Sequence, residues 1–305
     1  MSTHHHHSHD HPRSELINRV FIVGVSLNLA FVAIEAGFGF YANSLSLLAD
    51  AGHNFSDVIG LLAAWGAIVL ARRLPSPRFT YGLRGSTILA ALANSMLLLI
   101  AVGGIAWESI RRFTQPAELS EMTIVWVALV GVVINVITAL MLMRGSEHDL
   151  NLRGAFLHMV ADAAISLSVA LAGLGMLWTG WLWLDPAIGL VIAIVICIGT
   201  WGLLKQSLRL SLQAVPDAID PAAVHAFLAH WPCVAAVHDL HIWGMSTTET
   251  ALTVHLVVGN EHPGNEFLHD LAHELEHHFR ISHATFQIEL GSGESICRFA
   301  PDDVV

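Results

Sequence analysis

The chain has 305 residues, 54% of them hydrophobic and only 13% charged, with a formal net charge of -11 and a mean hydropathy of +0.60. A soluble domain carries about 25% charged residues, so an ordinary soluble enzyme is excluded, and the acidic balance fits no nucleic-acid partner. The three cysteines, Cys197, Cys233 and Cys297, are odd in number and scattered, which predicts no disulfide framework.

The first 15 residues form a polar tail with six histidines between His4 and His11. This bias points to loose metal capture, or else to a purification tag. No small-residue cleavage site follows the first apolar run, so a retained first span is expected. Six apolar stretches then follow, over 16–40, 45–71, 85–108, 121–143, 154–178 and 183–204. Crossing a hydrocarbon core of about 30 Å takes roughly 20 such residues, and in lipid the backbone satisfies its own polar groups best as helix. The expectation is an all-α six-span helical bundle over 16–209.

Basic residues set its orientation. Arg13 and Arg19, Arg72, Arg73, Arg78 and Arg84, Arg144 and Arg153, then Lys205 and Arg209 all fall on one side of a six-span path, against Arg111 and Arg112 on the other. Both termini are therefore expected in the cytoplasm, with the bundle in a plasma membrane, for a bacterium the inner one.

Past Gln213 the pattern changes. AVPDAIDP reads as a linker and helix start, leading to a helix over 222–230 stopped by Pro232. Two strands, 234–243 and 250–258, are predicted to form a hairpin around Ser246. A helix over 266–279, with Leu268, Leu271, Leu275 and Phe279 at helical spacing, and a strand over 284–290 complete an αββαβ order. That order implies a small two-layer α+β domain over 210–295, with a tail at 296–305.

Only two of the 20 histidines fall within the apolar spans, His53 and His158, and each is followed four residues later by an aspartate, Asp57 and Asp162. Residues at i and i+4 share a helix face, so two facing helices would offer two imidazoles and two carboxylates. That set suits tetrahedral zinc, and two carboxylates offset the desolvation of a dication. A carboxylate at mid-membrane costs about 2.5–3.5 kcal/mol on insertion scales, so such residues mark ion pathways. The alternative is that each pair only glues helices together. Asp50, three residues before His53, is an accessory candidate, and Glu35 is the acid in the middle of the first span. A zinc hydrolase would need an open coordination position, and no HExxH occurs, so no enzyme is expected.

SLSLLADAGHNFSDV at 44–58, RFTYGLRGSTILAALAN at 78–94, DLNLRGAFLHMVADAAISL at 149–167, VHDLHIWGM and HATFQIEL together resemble the cation diffusion facilitators, and specifically their zinc-transporting members. The resemblance covers nearly the whole chain. It implies a homodimer of six-span protomers with a ferredoxin-like cytoplasmic domain, exporting zinc in exchange for protons. His53, Asp57, His158 and Asp162 map onto the transport site. His238, His255 and His269 match positions that bind metal at the dimer contact, so zinc is expected both as transported substrate and as a structural or regulatory ion there. Glu289, His241 and His283 are accessory candidates. Other readings from the same residues are a broader exporter of cadmium, cobalt or other divalent cations, and a passive metal channel or sensor.

Overall fold

The computed structural model describes residues 29–146, 150–291 and Cys297. The His tract, the opening of the first predicted span and most of the C-terminal tail lie outside these residues.

Six helices come first: α1 (Leu29–Tyr41), α2 (Leu45–Ala71), α3 (Ser86–Thr114), α4 (Glu121–Ser146), α5 (Leu150–Thr179) and α6 (Leu184–Ser211). Among the described residues, α3 to α6 are long and apolar enough to cross a membrane, and less than half of the most apolar stretch of each is buried. Side chains such as Ile100, Trp107 and Ile198 stand at least 70% exposed, a surface that suits lipid and would aggregate in water. The protein is an integral membrane protein.

Two helices outrun the apolar stretches that announce them. The last turn of α3 is held by Glu108, which pairs with Arg111 at 3.3 Å and Arg112 at 3.2 Å, and α6 continues through Lys205 and Arg209 to Ser211. Hydropathy reports where hydrocarbon ends, and a helix can continue past that point into water.

The chain divides into two compact units, one taking the chain through Leu61 with Met96–Thr200, the other Leu62–Ser95 with the chain from Trp201 onward. In the first, Leu47, Leu98, Val102, Ile124, Ala128, Val169, Met176 and Ile192 form a buried core. Close backbone approach falls at Gly173, where a Cβ would lie 2.7 Å from Val125 Cγ2, and at Gly131, where it would lie 2.8 Å from Phe31 Cζ. At Gly103 and Gly104 a Cβ would meet nothing within 4 Å.

The start of α2 is fixed by a buried acid from the start of α6. Asp185 accepts hydrogen bonds from Ser44 Oγ (2.5 Å), Ser46 Oγ (2.6 Å), Leu45 N (2.8 Å) and Ser46 N (3.2 Å). These backbone donors are the ones a helix N-terminus leaves without partners.

In the second unit, the connection between α2 and α3 turns at Gly82, whose φ of 72° and 2.9 Å spacing between a built Cβ and Arg73 O leave no room for a side chain. Its neighbour Arg84 reaches Glu249 at 2.8 Å, and Thr247 N donates to Thr87 Oγ1 at 3.1 Å. The soluble part is α7 (Pro221–Ala229), β1 (Val234–Gly244), β2 (Thr250–Val258), α8 (Gly264–Phe279) and β3 (Ile281–Leu290). Asp220 caps α7 by accepting from Ala222 N at 2.9 Å, with Pro221 in the first turn. β2 is central, antiparallel to β1 and parallel to β3. A parallel partner needs a crossover, which α8 supplies. Leu252, Val254 and Leu256 alternate into a core with Val224, Leu228, Leu271, Leu275 and Ile281, leaving His255 on the other sheet face.

Candidate metal sites

The first cluster lies in the helical unit. His53 on α2 and His158 on α5 place their Nε2 atoms 3.6 Å from Asp162 Oδ1 and Oδ2 respectively, and the two rings are 5.9 Å apart, edge to face. One donor atom from each of the three lies within 4.8 Å of the others. Around a tetrahedral ion with arms of roughly 2.0–2.3 Å, donors sit about 3.3–3.8 Å apart, so both imidazole-to-carboxylate separations already match an edge of that figure. Asp162 is 1% exposed, and neither of its oxygens finds a hydrogen-bond partner among the described residues. A buried carboxylate in that state is costly, and a bound dication would relieve that cost. Asp57 follows His53 by one turn on α2, and its side chain is not among those described.

Asp50 lies one turn before His53 and outside this three-donor cluster. Its carboxylate accepts from Ser166 Oγ at 2.7 Å and from Asn54 Nδ2 at 3.4 Å. Ser166, one turn beyond Asp162 on α5, escapes a sequence reading because a serine in a span reads as packing. Glu35 is buried nearby on α1, in electrostatic contact with Asp50.

The second cluster stands on the open face of the sheet. Strand register aligns His238 with His255 and His255 with Gln287, and Glu289 follows two residues on, on the same face. His238 Nε2 lies 3.4 Å from Glu289 Oε2, His255 Nδ1 lies 3.0 Å from Glu289 Oε1, and the His238 and His255 rings are 5.1 Å apart. Cys297 Sγ comes within 3.5 Å of His255 Nδ1. Burial alone would push the Glu289 carboxyl up, but hydrogen bonds from Cys297 and Gln287, with the His238 and His255 imidazoles beside it, hold it below its ordinary value.

A bulge between His238 and His241, with Asp239 at φ 50°, interrupts β1. It turns the Asp239 carboxylate onto two imidazoles, with Oδ2 3.3 Å from His255 Nε2 and Oδ1 2.8 Å from His241 Nε2. Bulges of this kind re-aim side chains at functional positions. His241 is thereby occupied with Asp239, His283 packs edge-on against Tyr81 at 5.6 Å, and His269 is exposed on α8 outside the cluster. The sequence signal for Asp239 was an acid between two histidines in VHDLH. Nothing in the sequence tied Cys297, seven residues past the last strand, to this face.

Residues 21–210 match the cation efflux transmembrane domain and residues 216–290 match the cytoplasmic domain of cation efflux proteins. The chain belongs to the cation efflux family. Among relatives in that family, it is 35% identical over 289 residues to the cation efflux system protein CzcD of Alcaligenes sp. (strain CT14), covering 94% of this chain and 91% of the relative. It is 34% identical over 289 residues to the zinc transporter ZitB of Escherichia coli (strain K12), covering 93% and 92%. It is 32% identical over 285 residues to the cadmium, cobalt and zinc/H(+)-K(+) antiporter of Bacillus subtilis (strain 168), covering 92% and 91%. The resemblance read from the motifs is thus to the right family. Both halves of the cation efflux architecture contain a cluster of metal-ligating side chains.

Proposed function

We propose that this chain exports divalent transition metal, zinc foremost, from the cytoplasm in exchange for protons, as a homodimer of six-span protomers in the bacterial inner membrane. Its domains run 16–209 in the membrane and 210–295 in the cytoplasm as a ferredoxin-like module, between tails at 1–15 and 296–305. Both termini face the cytoplasm. The observation that carries the reading is the convergence of His53, His158 and Asp162 in an apolar helical unit; the fourth donor of the proposal is Asp57, taken from its spacing four residues after His53 in the sequence. Orientation is supported by the Arg84–Glu249 pair, which joins the Arg-rich loop between α2 and α3 to the soluble domain.

Exchange follows from ligand chemistry. Imidazole binds metal only when neutral, and its unperturbed pKa of about 6.5 lies near working pH, so protons and metal compete for the same atoms. Cytoplasmic zinc displaces protons, the bundle rocks, and protons arriving from outside discharge the ion. Four protein donors leave no position at which water is activated, so the site is a carrier's and not a hydrolase's. In the cytoplasmic domain, His238, His255 and Glu289 hold a structural or regulatory ion.

Zinc uptake into inside-out proteoliposomes should accelerate when the lumen is made acidic and the bath alkaline, because each zinc entering the lumen is then exchanged for protons leaving it down their gradient. Flux that ignores the pH gradient would leave a passive channel or sensor in its place. A broader substrate range is favoured by the naming of the Bacillus subtilis relative as a cadmium, cobalt and zinc antiporter. His53→Asp tests what sets that range: exchanging an imidazole for a harder oxygen donor should widen transport toward cadmium and manganese while zinc flux falls, as read by metal competition in the same vesicles.

A further inference from the structure

The geometry points to Cys297 as the fourth donor of a mononuclear soft-metal site in the cytoplasmic domain, a thiolate that joins His238, His255 and Glu289 within one protomer. The inference rests on the reading that this domain binds metal and adds to it a ligand, a coordination number and a metal class.

One ligand atom from each of the four residues lies within 4.8 Å of the others. Three separations, 3.0 Å between His255 Nδ1 and Glu289 Oε1, 3.4 Å between His238 Nε2 and Glu289 Oε2 and 3.5 Å between Cys297 Sγ and His255 Nδ1, are close to the roughly 3.3–3.8 Å edges of a tetrahedral zinc centre. Two further features show that the group is arranged for an ion. The His238 side chain is only 10% exposed, and its Nε2 has no hydrogen-bond partner among the described residues, although it faces the Glu289 carboxylate. Asp239 meanwhile takes the far nitrogen of His255, Nε2, at 3.3 Å. That contact fixes the proton on Nε2 and turns the Nδ1 lone pair toward Glu289 and Cys297, the arrangement that holds ligating histidines in metal sites.

Gln287 occupies the place across the sheet from His255, and its Nε2 lies 3.1 Å from Glu289 Oε1 and 3.5 Å from His255 Nδ1, so the amide N–H faces both acceptors, more closely the carboxylate, and supplies no ligand atom itself. The open corner therefore falls to the sulfur. Two imidazoles, one carboxylate and one thiolate favour zinc and cadmium over manganese or magnesium. The thiolate and carboxylate together balance the dication.

Cadmium titration of the full-length protein in detergent tests this, in the Asp162→Ala background so that the membrane site contributes less. An ultraviolet sulfur-to-cadmium charge-transfer band should grow to one equivalent per protomer. Cys297→Ser should remove the band and weaken that equivalent by about 100-fold or more, while Cys197→Ser and Cys233→Ser keep both. His238→Ala should lower the bound stoichiometry by one. A stoichiometry that falls with His238→Ala while the band is absent, or survives Cys297→Ser, overturns the thiolate and leaves a metal site of other donors. A stoichiometry untouched by His238→Ala overturns both.

Discussion

Asp162→Ala is expected to abolish metal-dependent flux while the protein remains folded. Asp162 is the residue on which both imidazoles converge, one on each oxygen at 3.6 Å. In the proposed site, removing it would take away a ligand and one of two negative charges that offset the dication in a medium where an unbalanced charge costs many kcal/mol. Affinity at the site should fall by more than the roughly 10–100-fold typical of losing a group that only supports a ligand, which places transport below detection. The fold should not suffer, because the carboxylate makes no hydrogen bond to the described scaffold. Deleting a buried charge that no hydrogen bond satisfies leaves stability unchanged or higher, the usual relation between strained functional sites and stability. Proteoliposome flux, a melting curve and size-exclusion chromatography together read the outcome. Normal flux from the variant would show that the ion passes elsewhere.

Asp185→Ala should do the opposite, and lower stability steeply. The carboxylate gathers two serine hydroxyls and two backbone N–H groups from the first residues of α2. It also lies at the start of α6, so the positive ends of two helix dipoles converge on it. Each buried donor left without an acceptor costs about 1–3 kcal/mol, and four are stranded together, against a total stability of about 5–15 kcal/mol for a typical domain. The expected readout is a melting temperature lowered by ten degrees or more in detergent, on the order of several kcal/mol. Asp185→Asn, which keeps one acceptor oxygen, should recover part of the loss. An unchanged melting temperature for the alanine variant would mean that the start of α2 is secured by other contacts.

These two aspartates differ in how openly the sequence displays them. Asp162 is legible because a histidine four residues earlier and a matching pair on another apolar stretch form a pattern that chance rarely produces in a membrane. Asp185 stands alone at the head of a span, where an acid reads as a water-facing charge, and its partners Ser44 and Ser46 are 141 and 139 residues away. The soluble domain shows the same division. The αββαβ order follows from periodicity and turn residues, because alternation along a strand is local. The bulge that swings Asp239 onto His255 depends on pairing between β1 and β2, and the approach of Cys297 depends on a path taken after the last strand. Sequence spacing encodes neither. Hydropathy located α3 and α6 and misjudged their ends, since Arg111, Arg112 and Lys205 end the apolar run without ending the helix.

That overrun has a mechanical consequence. At about 1.5 Å per residue, the 28 residues of α6 make a rod of roughly 42 Å, against a hydrocarbon thickness of about 30 Å. Such a rod acts as a lever with one arm outside the hydrocarbon. A change in tilt of about 10°, small beside the range that bilayers accept, sweeps its far end through roughly 7 Å. A carrier that reorients its helices to release cargo on one side therefore swings whatever hangs from the lever on the other.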